Sequence, residues 1–183
     1  PASVYKFCDL MKEQLQSLLE LLNQGLVQRQ AVIRPVLLAA LAGENPVLVG
    51  PPGTGKSLIA RRIAQCFPNE DAEQGSYFEY LLTKFSTPEE IFGPLSISEL
   101  KQDRFKRNTA GYLPSVRVAF LDEIFKASSS ILNALLTILN ERVYHNGAQV
   151  QRVPLQALIA ASNELPTDHE ELSALYDRFL LRV

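Results

Sequence analysis

Residues 50–57 read Gly-Pro-Pro-Gly-Thr-Gly-Lys-Ser, and few eight-residue stretches restrict a fold as sharply. The spacing G-x-x-x-x-G-K-[ST] makes a phosphate cradle when a strand precedes it and a helix follows. Both conditions are met: Pro46-Val-Leu-Val-Gly50 is a short apolar run of strand type, and Ser57 to Cys66 reads as a helix. The glycines let backbone N–H groups curl around a polyphosphate at the helix N-terminus, where the macrodipole also favours anions. Gly50, Pro51, Pro52, Gly53, Thr54, Gly55, Lys56, Ser57 and Leu58 are therefore the expected ATP-binding residues. Lys56 is expected on the β- and γ-phosphates, and the Ser57 hydroxyl on Mg²⁺.

Around this cradle, strand and helix patterns alternate. Apolar residues Phe7, Met11, Leu15, Leu18 and Leu22 recur at three- and four-residue steps, predicting an amphipathic helix that ends at Gly25. A second helix is expected from Arg29 to Leu41, and another from about Ser128 to Glu141. Tyr77–Leu82, Val116–Leu121 and Leu155–Ser162 are the remaining strand candidates. Continuous apolar strands alternating with helices predict an α/β sandwich, a parallel sheet covered on both faces. Two stretches fit no such unit, Phe92–Pro114 and Arg142–Pro154. The second carries Asn146-Gly147 between strand formers, a hairpin signal. At 183 residues the chain holds one domain, a nucleotide-binding core over 26–183 behind an N-terminal helix within 1–25.

Two further strand ends carry polar groups. Val118-Ala-Phe-Leu-Asp122-Glu123 finishes in two acids, as in a Walker B strand, at the sheet edge where the cradle lies. Asp122 is expected to hold Mg²⁺, and Glu123 to orient and deprotonate an attacking water. Leu158-Ile-Ala-Ala-Ser-Asn163 ends in an amide able to bind both a γ-phosphate and that water, although Asn also ends strands simply because turns favour it. Arg178 and Arg182 follow a short acidic helix expected near Glu170–Leu175. Either is a candidate to reach a γ-phosphate, against the plainer reading of an ion pair between Arg178 and Asp177.

Eighteen Lys and Arg against twenty Asp and Glu give a formal charge of −2, so no basic excess exists to neutralise nucleic acid or an anionic membrane. Cys8 and Cys66 are isolated thiols, expected to be small buried side chains. No apolar run approaches the ~20 residues of a membrane span, and the N-terminus has no signal-peptide pattern, so a soluble cytoplasmic protein is expected.

Taken in order, Gly-Pro-Pro-Gly-Thr-Gly-Lys-Ser, Phe-Leu-Asp-Glu, Ser-Asn and Tyr-Asp-Arg-Phe resemble AAA+ ATPases of the MoxR family, over about Leu26–Arg182. Phe85–Ser96 and Thr109–Pro114 resemble its RavA-type branch. The resemblance implies a hairpin inserted into the second helix around Leu95–Asn108 and a hairpin over Val143–Val153 before sensor 1. It makes Asn163 sensor 1 and Arg178, ahead of Arg182, an arginine finger acting on the next subunit. It also implies a hexameric ring, a chaperone-like role on a protein substrate, and a von Willebrand factor A-domain partner. The backbone of Gln24–Gln28 resembles the stretch that packs on adenine. A helical lid with its sensor 2 arginine is not among these 183 residues.

Other classes are weaker. A nucleic-acid motor would suit Lys101, Arg104, Lys106 and Arg107, but Glu99 and Asp103 interleave. A sigma-factor remodeller would show Gly-Ala-Phe-Thr-Gly-Ala in the insertion, and none is present. A small-molecule kinase needs no Glu after the Walker B Asp. A non-hydrolysing scaffold needs none of Lys56, Asp122 and Glu123.

Overall fold

A computed structural model describes residues 2–68, 77–164 and 175–183, with side chains from Asp9 onward. In chain order it contains α1 (Ala2–Asn23), α2 (Gln30–Ala42), β1 (Pro46–Val49), α3 (Lys56–Ala64), β2 (Tyr77–Leu81), α4 (Pro88–Phe92), α5 (Ile97–Leu100), β3 (Val118–Asp122), α6 (Ser129–Glu141), β4 (Val143–Asn146), β5 (Gln149–Arg152), β6 (Ala157–Ser162) and β7 (Leu181–Arg182). Five strands form one parallel sheet in the order β2-β3-β6-β1-β7, and β4 and β5 pair apart from it as an antiparallel hairpin.

The two-residue period of a strand sorts the core into two layers. Along β3, Val118 and Phe120 face the layer holding Ile33, Val36 and Leu37 of α2 and Ile59 and Ile63 of α3. Ala119 and Leu121 face the opposite layer, with Ile131, Leu135 and Ile138 of α6 and with Phe179. β6 divides in the same way, Ile159 to the first layer and Leu158 to the second. Both faces of the sheet are thus covered, and its central strands are apolar up to their carboxyl ends, where Asp122 closes β3 and Ser162 closes β6. Leu22 of α1 joins the first layer, with Leu18 and Leu19 packed against it, so the N-terminal helix shares the core.

Element ends follow local chemistry. α2 stops at Gly43, whose φ of 77° is left-handed and whose N–H reaches back to Ala39 and Ala40 carbonyls. α4 starts on a capping box in which the Thr87 N–H donates to Glu90 Oε2 at 2.7 Å.

Several expectations need correction. α1 begins at Ala2 rather than Phe7. The insertion over Leu95–Asn108 closes as a short hairpin through the antiparallel bridge Leu95–Arg107, with the Ser96 N–H donating to the Lys106 carbonyl at 2.7 Å and the Asn108 N–H to the Pro94 carbonyl at 2.8 Å, and its far end holds the short α5 rather than extended strands. β2, expected as a strand over Tyr77–Leu82, stops at Leu81 and is half-exposed, since it ends the sheet. β7 gave no sequence signal, being two residues long. Of the acidic helix expected near Glu170–Leu175, only Leu175 lies within the described residues.

The insertion docks on the β4–β5 turn. Asn146 accepts the Arg107 N–H at 2.6 Å and donates to the Arg107 carbonyl at 3.0 Å, imitating a strand partner. Backbone then meets backbone where two glycines sit. A Cβ at Gly147 (φ 64°) would lie 2.0 Å from the Phe105 carbonyl oxygen, and one at Gly93 (φ 98°) 1.9 Å from that of Asn108.

Gly147→Ala should therefore cost about 1–3 kcal/mol, combining an unfavourable φ with a collision against backbone. Chemical denaturation would measure the loss, and amide exchange over 95–108 should quicken. Parent-like stability and protection would show that the insertion does not dock this closely.

Candidate functional site

β1 hands the chain to the glycine-rich turn at the carboxyl edge of the sheet, and the Gly50 N–H continues the ladder to the Ser162 carbonyl at 3.1 Å. Gly53 (φ 78°) and Gly55 (φ 80°) are left-handed, a conformation that glycine adopts without cost, and Gly55 caps α3. Beside the turn opens a cavity of about 740 Å³ lined by Pro52, Gly53, Thr54, Gly55, Lys56 and Ser57, by Asp122 and Glu123, and by Asn163. Of the expected binding residues, Gly50, Pro51 and the 40% exposed Leu58 are not on its wall.

One amide connects the two halves of this wall. Asn163, one residue past β6, accepts from Lys56 Nζ at 2.8 Å through Oδ1. Its Nδ2 donates to Glu123 Oε1. The Lys56 ammonium also donates to the Gly50 carbonyl at 2.6 Å and to that of Pro51 at 3.2 Å, which commits its three hydrogens. Asp122 Oδ1 accepts the Glu123 N–H at 3.0 Å, and Oδ2 has no protein partner among the described residues. Glu123 has left-handed backbone (φ 54°, ψ 43°) and opens a 3₁₀ turn over Ile124–Lys126. The turn brings Lys126 Nζ to 3.3 Å from Glu123 Oε2.

Lys126 also lines the cavity, as do Thr83, Lys84 and Phe85 beyond β2, and none of these was anticipated. An acid and a base three residues apart were a signal for Lys126. For Lys84 and the 92% exposed Phe85 the sequence offered none.

Neither candidate arginine reaches this cavity. Arg182 is the one engaged with Asp177, at 3.6 Å, and its guanidinium lies 4.0 Å over the Tyr176 ring. Arg178 is exposed, and its side chain makes no hydrogen bond or ion pair among the described residues, so it is Arg182 rather than Arg178 that pairs with Asp177. At Gln24–Gln28, Gly25 and Gln28 both have positive φ, and Val27 is 82% exposed. Cys66 is half-buried, which raises its thiol pKa, and the Cys8 side chain lies outside the described residues.

α3 is tied to β2 by a two-pronged ion pair, Arg61 Nε and Nη2 to the Glu79 carboxylate at 2.7 and 2.9 Å. Hydrogen bonding from Arg61, with a smaller contribution from Tyr77, lowers the Glu79 pKa although partial burial opposes it.

The arrangement presents backbone N–H groups and ammonium donors to an anion, beside two carboxylates and a hydroxyl that are hard oxygen donors. Residues 13–183 match the family described as the MoxR domain in the MoxR-vWA-beta-propeller ternary systems. The uncharacterized protein MJ0812 of Methanocaldococcus jannaschii is 52% identical over 169 residues, which are 92% of this chain and 43% of that protein. The chain thus spans less than half the length of that relative. A solved structure from Cytophaga hutchinsonii, described as a candidate ATPase, superposes with a TM-score of 0.72 at 17% identity, covering 99% of this chain and 53% of its own. NtrX of Brucella abortus in complex with ATP gives 0.58 at 19% identity, over 87% of this chain and 37% of its own. At those identities the likeness is one of fold.

Because its folded carboxyl pKa is depressed, Glu79 should add stability above the ordinary Glu value of 4.5, and the contribution should fade as pH falls from there through the lower folded pKa. Glu79→Gln should then be less stable than the parent at neutral pH, with the two converging in acid. Parallel unfolding midpoints from pH 7 to 3 would refute this.

Proposed function

The chain belongs to the MoxR family, and from that membership and its AAA+ fold we propose that it is the ATP-hydrolysing module of a remodelling machine. The observation that carries the reading is the Asn163 amide spanning Lys56 and Glu123. It joins the residue suited to a γ-phosphate to the one suited to a water attacking it, across a cavity walled by the glycine-rich turn. The similarly folded NtrX is in complex with ATP, which supports a nucleotide as the ligand.

On this reading the turn from Gly50 to Ser57, with Leu58, cradles the phosphates, and Lys56 exchanges its carbonyl partners for β- and γ-phosphate oxygens. Glu123 takes the proton of the attacking water, and Asn163 fixes that water relative to the γ-phosphate. Ser57 and Asp122 border one cavity and are hard oxygen donors, which fits Mg²⁺, and Asp122 Oδ2 is open for it. When bound, Mg²⁺ neutralises charge developing on the phosphate oxygens. Gln24–Gln28 packs on adenine. Residues 1–183 act as one large subdomain, with 1–25 its leading helix, supported by Leu22 in the shared core.

Arg178 completes a neighbour's site in a homo-hexameric ring. Its support is the exposed guanidinium, without an ion pair or side-chain hydrogen bond among the described residues, beside an Arg182 already engaged. The family's pairing of MoxR with vWA supports a von Willebrand factor A-domain partner. A protein substrate, a chaperone-like role, a RavA-type branch and a cytoplasmic setting belong to the same reading. The branch rests on Phe85–Ser96 and Thr109–Pro114, while the matching family is defined by ternary systems. No described helix is long and apolar enough to cross a membrane. A nucleic-acid motor is less favoured, because Arg104 is paired with Glu99 at 2.7 Å and Arg107 Nη1 donates to the Gly93 carbonyl at 2.9 Å.

Lys56→Ala should abolish MgATP binding by calorimetry. Glu123→Gln should keep ATP affinity yet stop turnover, whereas Asp122→Asn should weaken the Mg²⁺-dependent part of binding. Equal losses of affinity from both acid variants would overturn the division of roles.

In the full-length protein, Arg178→Ala should lower turnover by ~10³ with little change in ATP affinity. Mixed with Glu123→Gln it should recover activity, because some interfaces then pair an intact Glu123 with an intact Arg178. Complementation by Arg182→Ala instead would make Arg182 the finger, and none from either, with subunit exchange verified, would remove the shared site.

A further inference from the structure

The Glu123 carboxylate is held at both oxygens, Oε1 by the Asn163 amide and Oε2 by Lys126 Nζ at 3.3 Å. Its side chain is 8% exposed, while that of Lys126 is 49% exposed. A carboxylate so enclosed has little water to satisfy it, so its orientation is set by its protein partners. Asn163 cannot set it alone, because the same amide is shared with Lys56, and any anion that draws Lys56 away pulls on that link. Lys126 is independent of the glycine-rich turn. It is fixed instead through its own 3₁₀ turn, where its N–H donates to the Glu123 carbonyl at 2.8 Å and the neighbouring Ile124 is fully buried. The ion pair and the main-chain bond close one small ring around Glu123, whose left-handed backbone leaves its side chain few alternatives.

We propose that Lys126 is a positioning residue that holds the Glu123 carboxylate toward the water it activates. The proposal rests on the reading of Glu123 as general base. Lys126 acts through Glu123 rather than on nucleotide, so its removal affects the chemical step and not binding. Any cation of similar reach replaces it.

The test is steady-state MgATP hydrolysis by the full-length protein carrying Lys126→Met, Lys126→Arg or Glu123→Gln, with thermal unfolding as a check on folding. Lys126→Met should lower kcat on the order of 10- to 100-fold with KM for MgATP within about twofold, since a misplaced reacting group costs rate and not affinity. Lys126→Arg should restore most of the rate, and adding Lys126→Met to Glu123→Gln should lower the residual rate no further. If Lys126→Met fails to fold, Lys126→Gln takes its place with the same expectations. A kcat within twofold of the parent, or a KM that rises in step with the loss of rate, overturns the proposal, the latter making Lys126 a phosphate contact. Parent-like hydrolysis by Glu123→Gln would overturn the general-base reading itself, whatever Lys126 does.

Discussion

The position of β6 between β1 and β3 governs the whole carboxyl edge of the sheet. Parallel pairing aligns Val49 with Ser162 and Leu121 with Ala160, so the three strands end nearly level. Whatever follows β6 must then emerge between the glycine-rich turn and the Asp122-Glu123 pair. Asn163 occupies that place, and its amide accepts from an ammonium through one atom and donates to a carboxylate through another, which lets it span the two groups. A strand order with β1 directly beside β3 would leave those two groups to meet as a bare ion pair. The order seen inserts a neutral group that orients both.

The charges around the cavity reinforce this. Three ammonium groups, Lys56, Lys84 and Lys126, line it together with two carboxylates, Asp122 and Glu123, and Asn163 lies between Lys56 and Glu123. Lys56 is satisfied by carbonyls and an amide rather than by an acid, so an incoming anion competes with dipoles and not with a fixed counter-charge. Glu123, in contrast, is committed to a cation of its own. The two halves of the cavity thereby answer an anion differently, one yielding and one held.

How much of this the sequence disclosed depended on the range of the interactions. The glycine-rich turn, Asp122, Glu123 and Asn163 were legible because each sits at a strand end with its own local pattern, and they converge on one cavity or border it. Helix ends were legible where a residue type fixes them, as Gly43 does for α2. Lys126 was overlooked because its meaning depends on a tight turn that only tertiary packing establishes. β7 escaped for a similar reason: two residues carry no periodicity, and its pairing with β1 comes from the far end of the chain. The hairpin of the insertion is legible only in part, because its far end is the short α5 and its hold on the rest of the fold lies in Asn146 and Gly147, outside the segment. Asp177 lies within reach of either arginine in sequence, and the Tyr176 ring decides in favour of Arg182.

The contact of Gly93 and Gly147 with the insertion has a mechanical side. Where side chains interdigitate, two elements can slip by small rotamer changes and stay partly engaged. Here backbone lies on backbone where Gly147 meets Phe105, as it does at the base of the insertion where Gly93 meets Asn108, and an amide grips one N–H and one carbonyl of the same residue, Arg107. Such a joint has no intermediate notch, because a shift of one residue reverses the donor and acceptor pattern that Asn146 matches. The insertion and the β4–β5 hairpin are therefore joined main chain to main chain, so the position of one fixes that of the other at Asn146 and Gly147.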